Sequence, residues 1–141
     1  MKRRVLDTSA LFTLIENEPG VDDIEHFIHE ALDERTRLFI SVVAEIELYY
    51  ISLQEQGENV AQERVELLRD LPIEIVEVTE DLVQTIGGIK ARYAMSFADC
   101  CIAGLAESLD AELVHKDPEY EQVSERIVLK SLPYKSTKNN T

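Results

Sequence analysis

The sequence predicts an α/β fold, a three-layer sandwich in which helices cover both faces of a central parallel sheet of about five strands. Two observations predict this class. Short apolar runs recur along the chain, and segments with apolar residues at helical spacing lie between most of them. Strands that are separated by helices of this length pair in parallel, because the chain must cross over the sheet before it adds the next strand.

The first half of the chain predicts two strands and four helices. Val5 and Leu6 are typical of a short strand, and the apolar run at 38–40 predicts a second one. Ser41 is expected to cap the following helix and Gly57 to stop it. In chain order we expect a strand at 3–7, helices at 10–16 and 21–35, a strand at 38–40, and helices at 42–56 and 61–71.

The second half predicts three strands and two helices. Pro72 cannot continue a helix, so the strand-like residues after it begin a new element. Thr79 and Ser96 each precede a helical pattern and are expected to be its N-cap. In chain order we expect a strand at 73–76, helices starting at Thr79 and Ser96 and running to Tyr93 and about Leu109, and strands at 113–114 and 127–129.

The composition is that of one folded domain. Hydrophobic residues make up 45% and charged residues 30% of the 141 residues, which is not the composition of a disordered chain. We expect the domain at 1–134 and a flexible tail at 135–141, where there is no apolar side chain to bury. The only cysteines, Cys100 and Cys101, match neither a redox pair nor a zinc site, so two reduced, buried thiols are expected. The first apolar run is too short for a signal peptide or a membrane span, so we expect a cytoplasmic location.

The net charge limits the ways in which this chain can bind nucleic acid. It is −14, and all 28 acidic residues precede Lys130. Non-specific binding of a phosphate backbone depends on Lys and Arg side chains that neutralise it, so broad binding of this kind is disfavoured. If nucleic acid is the substrate, cations must mediate much of the contact.

Four acidic residues lie at or just beyond the ends of predicted strands: Asp7, Glu45, Asp99 and Asp117. In open parallel sheets, ligands bind at the carboxyl ends of the strands, so acids at these positions are candidates for a site. Each also has a structural interpretation. Asp7 and Asp117 can cap helices, Asp99 can belong to a capping box with Ser96, and Glu45 can be a solvated surface residue.

Helix geometry separates these interpretations in part. At about 100° per residue, Asp99 shares a face with Ile102 and Ala103, so its carboxylate lies on an apolar side and requires a partner. Glu45 and Glu47 both flank the apolar stripe of their helix, and closeness to the strand end favours Glu45. The stripe consists of Val42, Ile46, Tyr49 and Leu53.

The four acids together point to a cation. No Lys or Arg is obviously placed in the sequence to neutralise them, and carboxylates that are close together cannot all ionise unaided. A hard divalent cation resolves this conflict, because Mg²⁺ or Mn²⁺ takes oxygen ligands from a few carboxylates and keeps positions open for water and phosphate. The pattern therefore predicts a phosphoryl-transfer site.

Four segments, in order, resemble the acidic motifs of PIN-domain ribonucleases, especially the VapC-type toxins of prokaryotic toxin–antitoxin pairs. They are residues 5–11 (VLDTSAL), 41–46 (SVVAEI), 96–103 (SFADCCIA) and 113–120 (LVHKDPEY). The resemblance spans nearly the whole chain, and the order of the four motifs makes it fairly specific.

The resemblance implies a metal-dependent endoribonuclease that is the toxin of such a pair. It implies that Asp7, Glu45, Asp99 and Asp117 are the catalytic residues and hold Mg²⁺ or Mn²⁺. It also implies an RNA substrate, an antitoxin that inserts a segment into the acidic groove, and a homodimer. The charge of the chain favours a basic insert.

One departure from the family pattern keeps a second hypothesis open. His115 stands two residues before the last acid, where the family usually carries Thr or Ser. The alternative is therefore a catalytically weakened PIN-like module that binds RNA or a protein without cleavage. A phosphatase of the haloacid-dehalogenase type is disfavoured, because it requires an aspartate two residues after the first one and Ser9 stands there.

Overall fold

The computed structural model describes residues 1–134, and the predicted tail at 135–141 lies outside them. Five parallel strands form one sheet in the order β3-β2-β1-β4-β5. Their bounds are β1 Lys2–Leu6, β2 Thr36–Ser41, β3 Ile73–Val76, β4 Glu112–His115 and β5 Leu129–Ser131. The sheet is flanked by helices, so the predicted three-layer α/β class is confirmed.

Six α-helices and two 3-10 segments connect the strands within the described part of the chain. The α-helices are α1 Thr8–Ile15, α2 Val21–Leu32, α3 Val42–Gln56, α4 Glu58–Arg69, α5 Val83–Arg92 and α6 Phe97–Ser108. The 3-10 segments are Glu80–Leu82 and Pro118–Val123. None of these helices is both long enough and apolar enough to cross a lipid bilayer.

Several predicted elements differ from the structure in their bounds. The helices predicted at 21–35 and 61–71 are Val21–Leu32 and Glu58–Arg69. The helix expected from Thr79 begins as a 3-10 turn, and its α-helical part starts only at Val83. The last strand is shifted towards the C-terminus, from the predicted 127–129 to Leu129–Ser131. Ile127 packs in the core at 5% exposure, whereas Val128 is 67% exposed. The Val128 carbonyl accepts the Leu113 N–H, and residue-for-residue pairing with β4 begins at Leu129.

The helix α6 packs directly over the middle of the sheet, on β1, β2 and β4. Its small residues permit close approach to α5: a Cβ added to Gly104 would lie 2.6 Å from Ile86 Cγ1. Seven of its twelve residues are buried, among them both cysteines, which are free thiols as predicted. This packing fixes the first turn of α6, which carries Asp99, above the carboxyl ends of the central strands.

The strand order creates a crevice between β1 and β4. From β1 the chain adds β2 and then β3 on one side, and it later adds β4 and β5 on the other side. Ligands of open parallel sheets bind at such a reversal, outside the carboxyl ends of the two strands. Asp7 directly follows β1, and Asp117 follows β4 by two residues. The topology therefore brings these two acids to one crevice.

Candidate metal centre

Three of the predicted acids, Asp7, Asp99 and Asp117, line one pocket at the carboxyl edge of the sheet. Its cavity of about 330 Å³ is large enough for a hydrated cation and a phosphate group. A second grouping overlaps the first, because carboxylate oxygens of Asp99, Asp117 and Glu119 lie within 4.8 Å of one another. Asp99 and Asp117 are common to both sets, so they are at the centre of the site.

Asp7 is a helix cap and a buried acid at the same time. Its Oδ1 accepts the Ala10 N–H at 2.8 Å and the Ser9 hydroxyl at 2.7 Å, while only 3% of the residue is exposed. Burial raises the pKa of Asp7 to about 7, an increase that these two hydrogen bonds reduce and the charges of Asp99 and Asp117 reinforce. The capping interpretation is correct, but capping alone does not require a carboxylate at a buried position with acidic neighbours.

Asp99 lies in the first turn of α6, where Ser96 caps the helix. The Asp99 N–H donates to Ser96 Oγ at 3.1 Å, and Asp99 Oδ1 accepts the Tyr120 hydroxyl at 3.0 Å. Burial raises the pKa of Asp99, the Tyr120 hydrogen bond lowers it, and the charges of Asp117 and Glu47 raise it further. The partner predicted for the Asp99 carboxylate on its apolar helix face is thus the neutral hydroxyl of Tyr120.

Asp117 caps the 3-10 segment that follows β4. Its Oδ1 accepts the Glu119 N–H at 2.9 Å, and its own N–H donates to His115 Nδ1 at 3.1 Å. The residue is only partly exposed, and it faces the same pocket as Asp7. The unusual His115 therefore does not displace Asp117 from the site but forms a hydrogen bond with its backbone.

His115 is itself fully buried, with its ring edge-on to Tyr120 at a centroid distance of 5.1 Å. Burial lowers the pKa of His115, more than the nearby Asp117 and Glu121 charges raise it. Because Nδ1 accepts a hydrogen bond, the proton of the neutral ring belongs on Nε2. That atom has no hydrogen-bond partner among the described residues.

The structure does not bring Glu45 into the pocket with the other three predicted acids. Its carboxylate forms an ion pair with Arg69 of α4 at 2.9 Å, and it lines a separate groove between α3 and α4. Two residues along a helix correspond to a rotation of about 200°, so Glu45 and Glu47 lie on nearly opposite sides. Closeness to the strand end, on which the choice of Glu45 depended, does not decide which side of α3 faces the pocket. The predicted apolar stripe gave no guide either, because Ile46 is 55% and Leu53 is 39% exposed.

Glu47 occupies the place in the pocket that was expected for Glu45. Its Oε1 accepts the Thr8 hydroxyl at 2.6 Å, and its charge is among those that raise the pKa of Asp99. Ile51 and Glu55, one and two turns further along α3, line the same pocket. This four-residue repeat of Glu47, Ile51 and Glu55 is the signal that identifies the face of α3 directed at the site.

The pocket has a strong excess of negative charge. Among residues 1–134, no Lys or Arg forms an ion pair with Asp7, Glu47, Asp99 or Asp117. The charged pairs at its margin are Glu16 with Arg64 at 3.2 Å and Glu18 with Lys116 at 3.3 Å. The four central acids have only neutral hydrogen-bond donors as partners, so oxygen atoms with full negative charge remain for a cation.

Comparison with known proteins identifies the family of the chain. The model of the PIN domain matches residues 4–126, and the chain belongs to this family. No curated protein matches it in sequence.

Solved structures with the same fold include chains of toxin–antitoxin complexes. The DNA-bound VapBC of Salmonella typhimurium has a TM-score of 0.77 at 23% identity, covering 93% of this chain and 98% of that one. VapBC2 of Rickettsia felis, bound to a fragment of its promoter, has a TM-score of 0.77 at 16% identity, covering 93% and 99%. VapC20 of Mycobacterium tuberculosis, described as a toxin that cleaves the sarcin–ricin loop, has a TM-score of 0.63 at 15% identity, covering 85% and 94%. At these identities the likeness concerns the fold.

Proposed function

We propose that this PIN-domain protein is a metal-dependent endoribonuclease of the VapC type, and that it is the toxin of a toxin–antitoxin pair. The observation that carries the proposal is the convergence of Asp7, Asp99 and Asp117 in one pocket that no Lys or Arg among residues 1–134 lines. Burial and mutual repulsion raise the pKa of Asp7 and of Asp99, so these ionised carboxylates are electrostatically unfavourable unless a cation balances them. Function, rather than stability, accounts for such an arrangement.

The residues fit Mg²⁺ or Mn²⁺ as the cation. Asp7, Glu47, Asp99 and Asp117 offer only carboxylate oxygens, which are the ligands these hard cations prefer, and Glu119 extends the set at its exposed side. Glu47 replaces Glu45 in this ligand set, since Glu45 is neutralised by Arg69. When bound, the cation supplies Lewis acidity that activates a water and stabilises negative charge on the phosphate.

The side chains around the four acids orient them. Ser9 donates to Asp7, Thr8 to Glu47 and Tyr120 to Asp99, so three of the carboxylates are held by neutral hydroxyls without loss of their charge, and Asp117 accepts the Glu119 backbone N–H. In the proposed hydrolysis, the oxygen of a water bonds to phosphorus and one P–O ester bond breaks. One RNA fragment keeps a phosphate monoester, and the leaving oxygen of the other takes a proton and becomes a hydroxyl. Few basic residues are available to bind the RNA backbone, so contact with phosphate is concentrated at the metal.

The acidic pocket also supports an antitoxin with a basic segment as the partner. Glu16, Glu18 and Glu55 extend the negative charge from the central acids along the pocket wall. A Lys or Arg side chain inserted here would neutralise repulsion and occupy the position of the cation. Two of the solved structures of similar fold are VapBC complexes bound to DNA, which supports an antitoxin as the partner, and we propose a homodimer as the assembly that the antitoxin binds.

Cleavage of RNA by the purified protein tests the proposed activity. Single-stranded oligonucleotides, transfer RNA and ribosomal RNA would be incubated with Mg²⁺ or Mn²⁺, and the products would be mapped. We expect cleavage by the wild type, loss of about 10²-fold or more for Asp7→Asn and Glu47→Gln, and near-normal activity for Glu45→Gln. The last two variants form a matched pair, since they make the same chemical change two residues apart on one helix.

Two results would contradict the proposal in different ways. Absence of metal-dependent cleavage across all three RNA classes would exclude the enzyme, and retention of RNA binding in that case would favour the non-cleaving module. Loss of activity in Glu45→Gln but not in Glu47→Gln would instead move the metal site to the groove between α3 and α4. Co-expression with the product of an adjacent small gene, followed by co-purification and loss of cleavage, tests the antitoxin.

A further inference from the structure

The hydroxyl of Tyr120 contacts Asp99 across two separate chain segments. Tyr120 lies in the 3-10 segment Pro118–Val123 and is completely buried. Its ring packs against His115 in the core, but its hydroxyl oxygen reaches Asp99 Oδ1 at 3.0 Å. The ring and the hydroxyl therefore have different surroundings: the ring packs in the core, and the hydroxyl contacts a candidate metal ligand.

The hydroxyl links the two chain segments that supply the candidate ligands. Asp99 belongs to α6, whereas Asp117 and Glu119 precede Tyr120 by three residues and one residue. The carboxylate oxygens of these three acids lie within 4.8 Å of one another. Tyr120 is the side chain that hydrogen-bonds from one segment to an acid of the other, so it sets how the Asp99 carboxylate is presented to Asp117 and Glu119.

The chemistry of this bond suits a metal ligand. A phenol at neutral pH donates one hydrogen bond and carries no charge. It fixes the orientation of the Asp99 carboxylate through Oδ1, leaves Oδ2 and a second lone pair of Oδ1 available, and does not neutralise the group. An Arg or Lys in the same place would neutralise the carboxylate, as Arg69 does at Glu45.

We infer that Tyr120 is a positioning residue that holds Asp99 in the orientation required to bind the divalent cation. This inference rests on the proposed metal-dependent function. Hydrogen-bond donors behind metal ligands commonly change affinity by about 10- to 100-fold when they are removed. We expect an effect near the lower end of this range, because Asp99 is one of four proposed ligands.

The substitution Tyr120→Phe tests the inference, because it removes the hydroxyl and keeps the ring. Tyr134→Phe is the matched control, since the Tyr134 hydroxyl also donates to a carboxylate, that of Glu121 at 2.7 Å, outside the pocket. Mn²⁺ alone is the probe, and its dissociation constant would be measured by calorimetry and by electron paramagnetic resonance on the full-length protein. Circular dichroism would verify that each variant is folded at the temperature used.

Tyr120→Phe should weaken Mn²⁺ binding by about 10-fold, whereas Tyr134→Phe should stay within about twofold of wild type. RNA cleavage adds a second readout: the Mn²⁺ concentration for half-maximal rate should rise by the same factor in Tyr120→Phe, and the rate at saturating Mn²⁺ should recover. A purely structural role would change the melting temperature without raising the metal requirement.

Three outcomes would overturn the inference. Equal Mn²⁺ affinity in wild type and Tyr120→Phe would overturn it while leaving the proposed nuclease intact. Equal weakening in both Phe variants would show a general effect of lost hydroxyls rather than positioning of Asp99. Absence of Mn²⁺ binding and of cleavage in the wild type would overturn the proposed function together with the inference that rests on it.

Discussion

Charged side chains at the two edges of the sheet, where the parallel strands begin and where they end, have opposite kinds of partner. On the amino-terminal side, Arg4 is 7% exposed and hydrogen-bonds to Glu30 at 2.9 Å and to Glu112 at 3.0 Å. Its guanidinium also lies 3.9 Å from the centroid of the Phe27 ring. Each charge in this cluster has a partner of opposite sign, which is what a stable fold requires of ions removed from water.

On the carboxyl-terminal side, the three aspartates that converge on the pocket all carry the same sign of charge. Asp7, Asp99 and Asp117 share a pocket, and their partners are hydroxyl and backbone N–H groups. Hydrogen bonds of this type hold a carboxylate in place but do not remove the repulsion between neighbours. The amino-terminal side is therefore arranged for stability, whereas the carboxyl-terminal side retains an electrostatic repulsion that a bound cation can relieve.

Removal of Arg4 should have the largest effect on stability. Arg4→Met removes the nearest cation of Glu30 and of Glu112, whose side chains are 19% and 15% exposed, and leaves them the more distant His26 at 3.4 Å and Lys2 at 3.7 Å. We expect the free energy of unfolding to fall by about 3 kcal/mol, measured by urea denaturation. The neighbouring Arg3→Met is the control and should cost less than about 1 kcal/mol, since Arg3 is exposed. A loss below about 1 kcal/mol for Arg4→Met would show that the amino-terminal edge is no better paired than the other.

Asp7→Asn should act in the opposite direction. The pKa of Asp7 is raised from 3.8 to about 7, so the folded protein binds this proton more tightly than the unfolded chain does. Stability is therefore lost as the pH rises from about 4 to about 7, by at most about 4 kcal/mol. Asparagine does not ionise, but it buries an amide, so we expect a net gain of about 2 kcal/mol at pH 8.

Urea denaturation in a chelator at pH 4 and pH 8 measures this effect. The difference between Asp7→Asn and wild type should grow with pH in favour of the variant. A variant that is less stable than wild type at pH 8 would mean that the Asp7 carboxylate stabilises the metal-free fold, and the contrast between the two edges would be lost.

A divalent cation should stabilise only proteins whose carboxyl-edge acids are intact. At ten times the dissociation constant, bound Mn²⁺ adds about 1.4 kcal/mol to the free energy of unfolding. Wild type and Arg4→Met should both gain this increment, although they differ in their starting stability, and Asp99→Asn should gain little of it. Thermal denaturation with and without Mn²⁺ provides the measurement. An equal gain in Asp99→Asn would place the binding site elsewhere.

The fold was predictable because local patterns and topology agree. Apolar runs at 38–40 and 73–76 fall inside β2 and β3, and α3 runs from Val42 to Gln56, as predicted. The strand β5 starts two residues later than predicted, because Ile127 is buried in the core before residue-for-residue pairing begins at Leu129. Apolar character alone does not distinguish these two roles.

The site was predictable where an acid directly follows a strand or opens a helix. Asp7, Asp99 and Asp117 depend on chain connectivity, which fixes their position to within a turn. Whether Glu47 faces the site depends on the rotation of α3 about its axis. The pattern of apolar residues predicts the wrong rotation, because Ala44, Leu48 and Ser52 form much of the buried face. Ala44 is small and Ser52 is polar, so neither marks the buried face by its hydrophobicity, whereas the strongly apolar Ile46 is exposed. The contact of Tyr120 with Asp99 spans two segments and has no local signature.

The smallest predicted effect concerns the two glutamates of α3. Glu45→Gln removes an ion pair in which the Arg69 side chain is 62% exposed, so it should lower the free energy of unfolding by only about 0.5 kcal/mol. Glu47→Gln should raise it by a similar amount of about 0.5 kcal/mol in a chelator at pH 8, because it removes one of the charges that repel Asp99 and its amide oxygen can still accept the Thr8 hydroxyl. Parallel urea titrations of the two variants compare the signs directly. If both substitutions lower stability equally, Glu47 is stabilised by its surroundings as Glu45 is by Arg69. The assignment of Glu47 to the candidate metal centre then loses its electrostatic support.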